Sequence, residues 1–93
     1  MNKTRRKAIA AVHDELEPLI GTLEELISRL QDIFGEEQEQ FDNLSEKAQE
    51  GERGQSIQEM ADNLQSQVDA LENARSDIES VVNELDQMAE VEA

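Results

Sequence analysis

Apolar residues recur at spacings of three and four through both halves of this chain, and that rhythm leaves few folds open. In the first half Ile9, Val12, Leu16, Leu19, Leu23, Leu26, Leu30 and Ile33 follow one another without a miss. In the second half Ile57, Ala61, Leu64, Val68, Leu71, Ile78, Val82, Leu85 and Ala89 do the same, with only Arg75 interrupting. A repeat averaging 3.5 residues keeps one apolar seam turned toward a partner helix. The expected fold is therefore all-α: an antiparallel helical hairpin with coiled-coil-like heptad seams. Beside the first seam Ile20, Ile27, Phe34 and Phe41 recur every seven residues, and Met60, Ala74, Val81 and Met88 widen the second. Three apolar positions per heptad make a stripe broader than a two-stranded coil needs. A monomer is expected to expose Ile20, Ile27, Val81 and Met88, so the chain is expected to pack as a homo-oligomeric helical bundle. A dimer is the simplest closed form, and higher oligomers are allowed.

The expected organisation is one helical domain over 1–93. An N-terminal arm spans 1–17, a first main helix 18–41, a turn 42–54 and a second helix 55–91. Pro18 removes a backbone hydrogen bond and crowds the carbonyl four residues back. With Gly21 close behind, it predicts a kink or break. In the turn, Asn43 or Ser45 is placed to cap a short helical piece. Gly51 and Gly54 bracket Glu52-Arg53. Arg53 is expected to fold back onto Asp42, Glu46 or Glu50 while Phe41 and Leu44 close the hairpin end. Phe41, Asp42, Asn43, Leu44, Glu52, Arg53 and Gly54 thus form a candidate tip motif. Arg75 is expected to snorkel, to pair with a carboxylate across the seam, or to set helix register.

The composition offers little for catalysis. Cysteine is absent, so there is no disulfide framework, thiol nucleophile or zinc-finger ligand set. His13 is the only imidazole, too little for a familiar zinc site. Pairs such as Glu24-Glu25 and Glu36-Glu37 do acid–base work only where a pocket splits their pKa values. Around Asp42-Asn43 the glycine and downstream ligands of a calcium loop are missing. The reading is a non-enzyme with no cofactor and no metal. No stretch is apolar for long enough to span a bilayer, and Ala8–Val12 is too short for a signal peptide. A cytoplasmic place fits this pattern.

Charge is large and unevenly placed. The net charge is −15, from 23 acidic and 8 basic residues. Lys3, Arg5, Arg6 and Lys7 form a basic head, and every acid follows from Asp14 onward, accompanied only by Arg29, Lys47, Arg53 and Arg75. Such a body repels nucleic acid and anionic membrane; its glutamates are read either as a solubilising helical surface or as a face that attracts a basic surface. Cations at a helix start oppose the macrodipole, so the head is not there for helix stability. Lys3 and Lys7 share a helix face, while Arg5 and Arg6 fall on different faces. The head is read either as a solvated helix start or, where heads from two or more copies converge in an oligomer, as a small anion or nucleotide site.

Glu36-Glu37-Gln38, Phe41-Asp42-Asn43-Leu44 and Gly51-Glu52-Arg53-Gly54-Gln55, followed by a long Leu/Ala/Glu helix, carry a resemblance. The segment 36–60 resembles small acidic helical proteins encoded by bacteriophages and prophages, whose turn reads F/Y-D-N-L-P-E and then S-E-R-G-E. Here Ser45 stands for the proline, Gly51 for the serine and Gln55 for the glutamate. The resemblance implies origin more than mechanism. Small phage proteins of this build often counter host defence, some by acidic mimicry of DNA and others by sequestering nucleotide signals in helical oligomers. The expected function is stoichiometric, non-enzymatic antagonism of a host defence factor in the bacterial cytoplasm. Its partner would be a host protein or a nucleotide messenger. The alternative is a coiled-coil scaffold used in assembly.

Overall fold

The computed structural model describes residues 2–90 and folds them into three α-helices. Helix α1 spans Lys3–Asp42, α2 is the short piece Glu46–Glu50, and α3 spans Glu52–Glu90. No strand occurs among the described residues. The second long helix thus starts at Glu52 rather than 55, because Gly51 ends α2 and its carbonyl also accepts the Gln55 N–H at 3.1 Å. The expected helix end at Val91 and the first residue of the expected arm lie outside the described residues.

Of the kink or break expected at Pro18, the break is absent: α1 runs through it as one helix, so the arm and the first main helix are continuous. Pro18 is exposed, and so is Asp14, whose carbonyl loses its N–H partner. On a solvent face water takes over that role, and the ring meets no packed neighbour. Thr22 Oγ1 donates to the Pro18 carbonyl at 3.4 Å.

Packing divides the chain into two compact units, Leu26–Leu71 and Met1–Glu25 with Glu72–Ala93. In Leu26–Leu71 the buried residues are Ile27, Gly54, Ala61 and Val68. Leu30, Phe34, Phe41, Leu44, Ile57, Leu64 and Leu71 are half-buried around them. Ser45 caps α2, accepting the Ala48 N–H at 3.2 Å. Gln49 Nε2 donates to the carbonyls of Phe41 at 3.1 Å and Leu44 at 3.3 Å. One side chain thus ties the end of α1 to α2 and satisfies carbonyls that a helix end leaves open.

In Met1–Glu25 with Glu72–Ala93 the inward positions mix apolar and polar residues. Val82 is buried, and Ile9, Leu16, Ile20, Leu23, Ile78, Leu85 and Ala89 are half-buried. Arg6, His13 and Arg75 occupy the same inward rows and are half-buried too. His13 Nε2 lies 4.0 Å from Asp86 Oδ1, and Arg75 Nη1 donates to Glu24 Oε1 at 3.4 Å. As the number rises along α1 it falls along α3, so these stretches run antiparallel.

Burial also corrects the seam of α1. The inward rows are Ile9, Leu16, Leu23, Leu30 and, with them, Ile20, Ile27, Phe34, Phe41. Val12, Leu19, Leu26 and Ile33, read from the sequence as seam residues, are 39–53 % exposed. Ile20 and Ile27, expected on the surface of a monomer, face inward instead; Val81 and Met88 are exposed as expected.

Candidate functional site

The two flanks of the helix pair in Met1–Glu25 with Glu72–Ala93 differ in chemistry. On one flank His13, Glu17, Ile20, Glu79, Val82, Asn83 and Asp86 line an open hollow of about 440 Å³. Glu17 and Glu24 on α1, and Glu79 and Asp86 on α3, are each seven residues apart, so each helix offers a row of carboxylates at one heptad spacing. His13 is the one imidazole in this acid environment. Its Nδ1 lies 3.1 Å from Asp14 Oδ1 and its Nε2 3.2 Å from Glu17 Oε2. The hydrogen bond to Asp14 raises the His13 pKa above the ordinary imidazole value; burial opposes the rise, and the charges of Glu17 and Asp86 add to it. Among the described residues no cluster of three or more His, Asp or Glu is placed to hold a metal ion. This flank can attract cations and cationic side chains, and it presents no activated nucleophile.

The opposite flank is apolar. Val12 and Leu19 each precede an inward residue by one position on α1, and Val81 precedes buried Val82 on α3. The carboxylates Glu17, Glu79 and Asp86 each follow an inward residue by four. In an antiparallel pair these two sets of positions fall on opposite flanks. Met88, one residue before Ala89, continues the α3 row. In Leu26–Leu71 the corresponding exposed residues are Leu26, Ile33 and Met60. There Leu26, Arg29, Leu30, Ile33 and Leu71 line a hollow of about 300 Å³. Sequence reasoning missed this flank because it placed the α1 row inside.

Of the basic head, the structure brings three residues together. Lys3, Arg6 and Lys7, with Ala10 and Ala89, line a shallow hollow of about 300 Å³. Arg5 lies off it; its backbone N–H donates to Asn2 Oδ1 at 2.8 Å, which caps α1. The i, i+3 and i, i+4 spacings put Arg6 on the edge of the face shared by Lys3 and Lys7. The hollow brings three cationic side chains together.

The tip motif is structural in a way the sequence did not show. Phe41 and Leu44 are half-buried, whereas Asp42, Asn43, Glu52 and Arg53 are exposed. Arg53 makes no ion pair with a described residue, so it is not the latch expected from its charge. The close contact belongs to Gly54. A Cβ there would collide with the carbonyl oxygen, carbonyl carbon and Cα of Gln49. Gly54 admits the α2 backbone directly against α3, and Gln49, absent from the expected motif, supplies the hydrogen bonds. A glutamine a few residues after a capped turn was the available signal.

No described helix is long and apolar enough to cross a membrane. Comparison with protein-family models, with curated proteins and with solved structures finds no match to this chain.

Proposed function

We propose that this chain is a non-enzymatic, phage-type binding protein that antagonises a host defence factor by stoichiometric occupation of a basic, nucleic-acid-binding surface. In this reading α1 and α3 form one antiparallel hairpin with heptad seams, the hairpins associate as a homo-oligomer, and the protein acts in the bacterial cytoplasm. The observation that carries it is the acidic flank built by Glu17, Glu24, Glu79 and Asp86. Those carboxylates sit at regular spacing on helices that hold them in place. A charge row of this kind steers encounter with a cationic surface and is weakened by salt.

The test is native mass spectrometry of the protein isolated from host lysate, repeated with the variant carrying Gln at those four positions. The wild-type chain should retain a host protein that duplex DNA displaces and that about 0.5 M salt releases, since screening then acts within a few ångströms. The four-fold variant should not retain it. Retention that resists DNA, salt and the substitutions would favour the scaffold reading instead.

One observation favours a second mechanism in the same class. The hollow of Lys3, Arg6 and Lys7 suits a phosphate-bearing messenger enclosed between subunits. In that case a nucleotide travels with the protein in the same experiment. Gln at those three positions should then weaken its binding at least about tenfold, because hydrogen bonds to charged groups contribute roughly 1.5–3 kcal/mol each.

A further inference from the structure

His13, the only histidine of the chain, stands where the acidic flank meets the inward rows. Its ring is half-buried within Met1–Glu25 with Glu72–Ala93, and both ring nitrogens face carboxylates. Nδ1 lies 3.1 Å from Asp14 Oδ1, while Nε2 lies 3.2 Å from Glu17 Oε2 and 4.0 Å from Asp86 Oδ1. A neutral imidazole carries one N–H and presents a lone pair at its other nitrogen. Whichever tautomer it takes, a carboxylate then faces that lone pair. Only the imidazolium donates on both sides, so this geometry suits the charged ring. The pKa of His13 moves in the same sense: the Asp14 hydrogen bond raises it, against burial, with help from Glu17 and Asp86.

Two of the three partners belong to the carboxylate rows of the flank. Glu17 comes from α1 and Asp86 from α3, and both remain exposed. Glu79 lines the same hollow, whose lining holds no lysine or arginine. Arg6, one heptad earlier on the inward row of His13, is about 10 Å away along the helix. The other end of the flank provides the contrast. There Glu24 has a permanent internal cation, Arg75, at 3.4 Å. Glu17 and Asp86 have one that titrates near neutral pH. An internal cation and an arriving one compete for the same carboxylate oxygens, and such competition is reciprocal.

We propose that His13 sets the pH at which the acidic flank takes up a cationic partner: the imidazolium occupies Glu17 and Asp86 as a built-in cation, and its deprotonation frees them for arginine or lysine side chains. The proposal rests on the acidic-flank reading above and adds its regulation. Binding is weak below the folded pKa of His13 and strong above it. By the same coupling, a bound partner lowers that pKa.

The test uses an acetylated, amidated hexa-arginine peptide, whose charge is fixed across the range studied. Its affinity for the full chain is measured by calorimetry from about pH 8.5 to 5.5, and the His13 pKa is read from its ring proton by NMR with and without peptide. Affinity should fall about fivefold over that range, and saturating peptide should lower the His13 pKa by about 0.7. His13→Gln should bind at the stronger level throughout, and His13→Lys, which keeps a positive charge, at the weaker level throughout. Helix content by circular dichroism checks that both variants are folded. A peptide that fails to bind, or that binds equally well when Glu17, Glu24, Glu79 and Asp86 are all Gln, would overturn the flank reading and this proposal with it. A peptide that needs those four carboxylates but leaves the His13 pKa unmoved, or keeps its pH dependence in His13→Gln, would overturn this proposal and leave the flank reading in place.

Discussion

The two compact units are built from the same kinds of helix and hold themselves together differently. In Leu26–Leu71 the inward rows are almost wholly apolar, and Ile27, Ala61 and Val68 are buried. Its end is fixed by backbone: Gly54 lets α2 approach α3, and Gln49 ties the Phe41 and Leu44 carbonyls. In Met1–Glu25 with Glu72–Ala93 the same row positions hold Arg6, His13 and Arg75, and among the described apolar residues there only Val82 is buried. The candidate binding features, the carboxylate flank and the basic hollow, lie in this second unit. Polar residues on inward rows weaken packing and hold charged neighbours in place. The apolar unit is therefore expected to be the more stable of the two, and the polar unit the one that opens first.

The sharpest way to break this contrast is Gly54→Ala. The new Cβ meets backbone that cannot rotate away, so the loss should be about 3 kcal/mol in urea unfolding followed by circular dichroism, even though alanine is the better helix former. Val68→Ala, inside the dry row, should cost about 2 kcal/mol by the same measurement. Gln49→Ala should cost about 1 kcal/mol. The Phe41 carbonyl keeps the Leu44 N–H at 3.1 Å, and the Leu44 carbonyl loses its side-chain donor.

In the polar unit the effects should be smaller. Arg75 is a third exposed, and its pair with Glu24 is open to water. Arg75→Met should change stability by less than about 1 kcal/mol, and a gain is the expected sign, since apolar replacement of a seam charge removes its desolvation cost. The smallest effect is that of pH on His13. Its folded pKa is raised by the hydrogen bond to Asp14, against burial, with help from Glu17 and Asp86. The stabilisation is complete below the ordinary imidazole value and disappears as pH rises through the higher folded value. The His13→Gln variant should lack this slope, which thermal melts between about pH 5 and 8 would reveal.

Helix type and approximate extent were legible from the heptad rhythm; on α3 Ile57, Ala61, Leu64, Val68, Leu71, Ile78, Val82, Leu85 and Ala89 are buried or half-buried, whereas Met60, Val81 and Met88 of the widened stripe are exposed. The α1 rows were not legible, for a physical reason. Leu16, Leu23 and Leu30 belong to two competing seams, one completed by Val12, Leu19, Leu26 and Ile33, the other by Ile20, Ile27, Phe34 and Phe41. His13 interrupts the second and made the first look unbroken. Packing against α3 decides between them, and the second row also continues to Phe41, whereas the first runs out at exposed Gln40. Pro18 does not end α1: whether a proline breaks a helix depends on whether its face is packed, which the neighbouring sequence does not state. At the tip, charge drew attention to Arg53, but the deciding contact is a backbone approach that only Gly54 permits. Of the candidate site, Lys3 and Lys7 were rightly put on one face, and the apolar flank was hidden by the choice of seam.

Residue-resolved hydrogen exchange on the native chain tests the central contrast most directly. Amides of α3 from Ala61 to Leu71 should exchange most slowly, near the rate set by global unfolding, and those from Arg75 to Leu85 should open sooner through local fluctuations. Equal protection along α3, or slower exchange around Arg75 and Val82 than around Ala61 and Val68, would contradict the account.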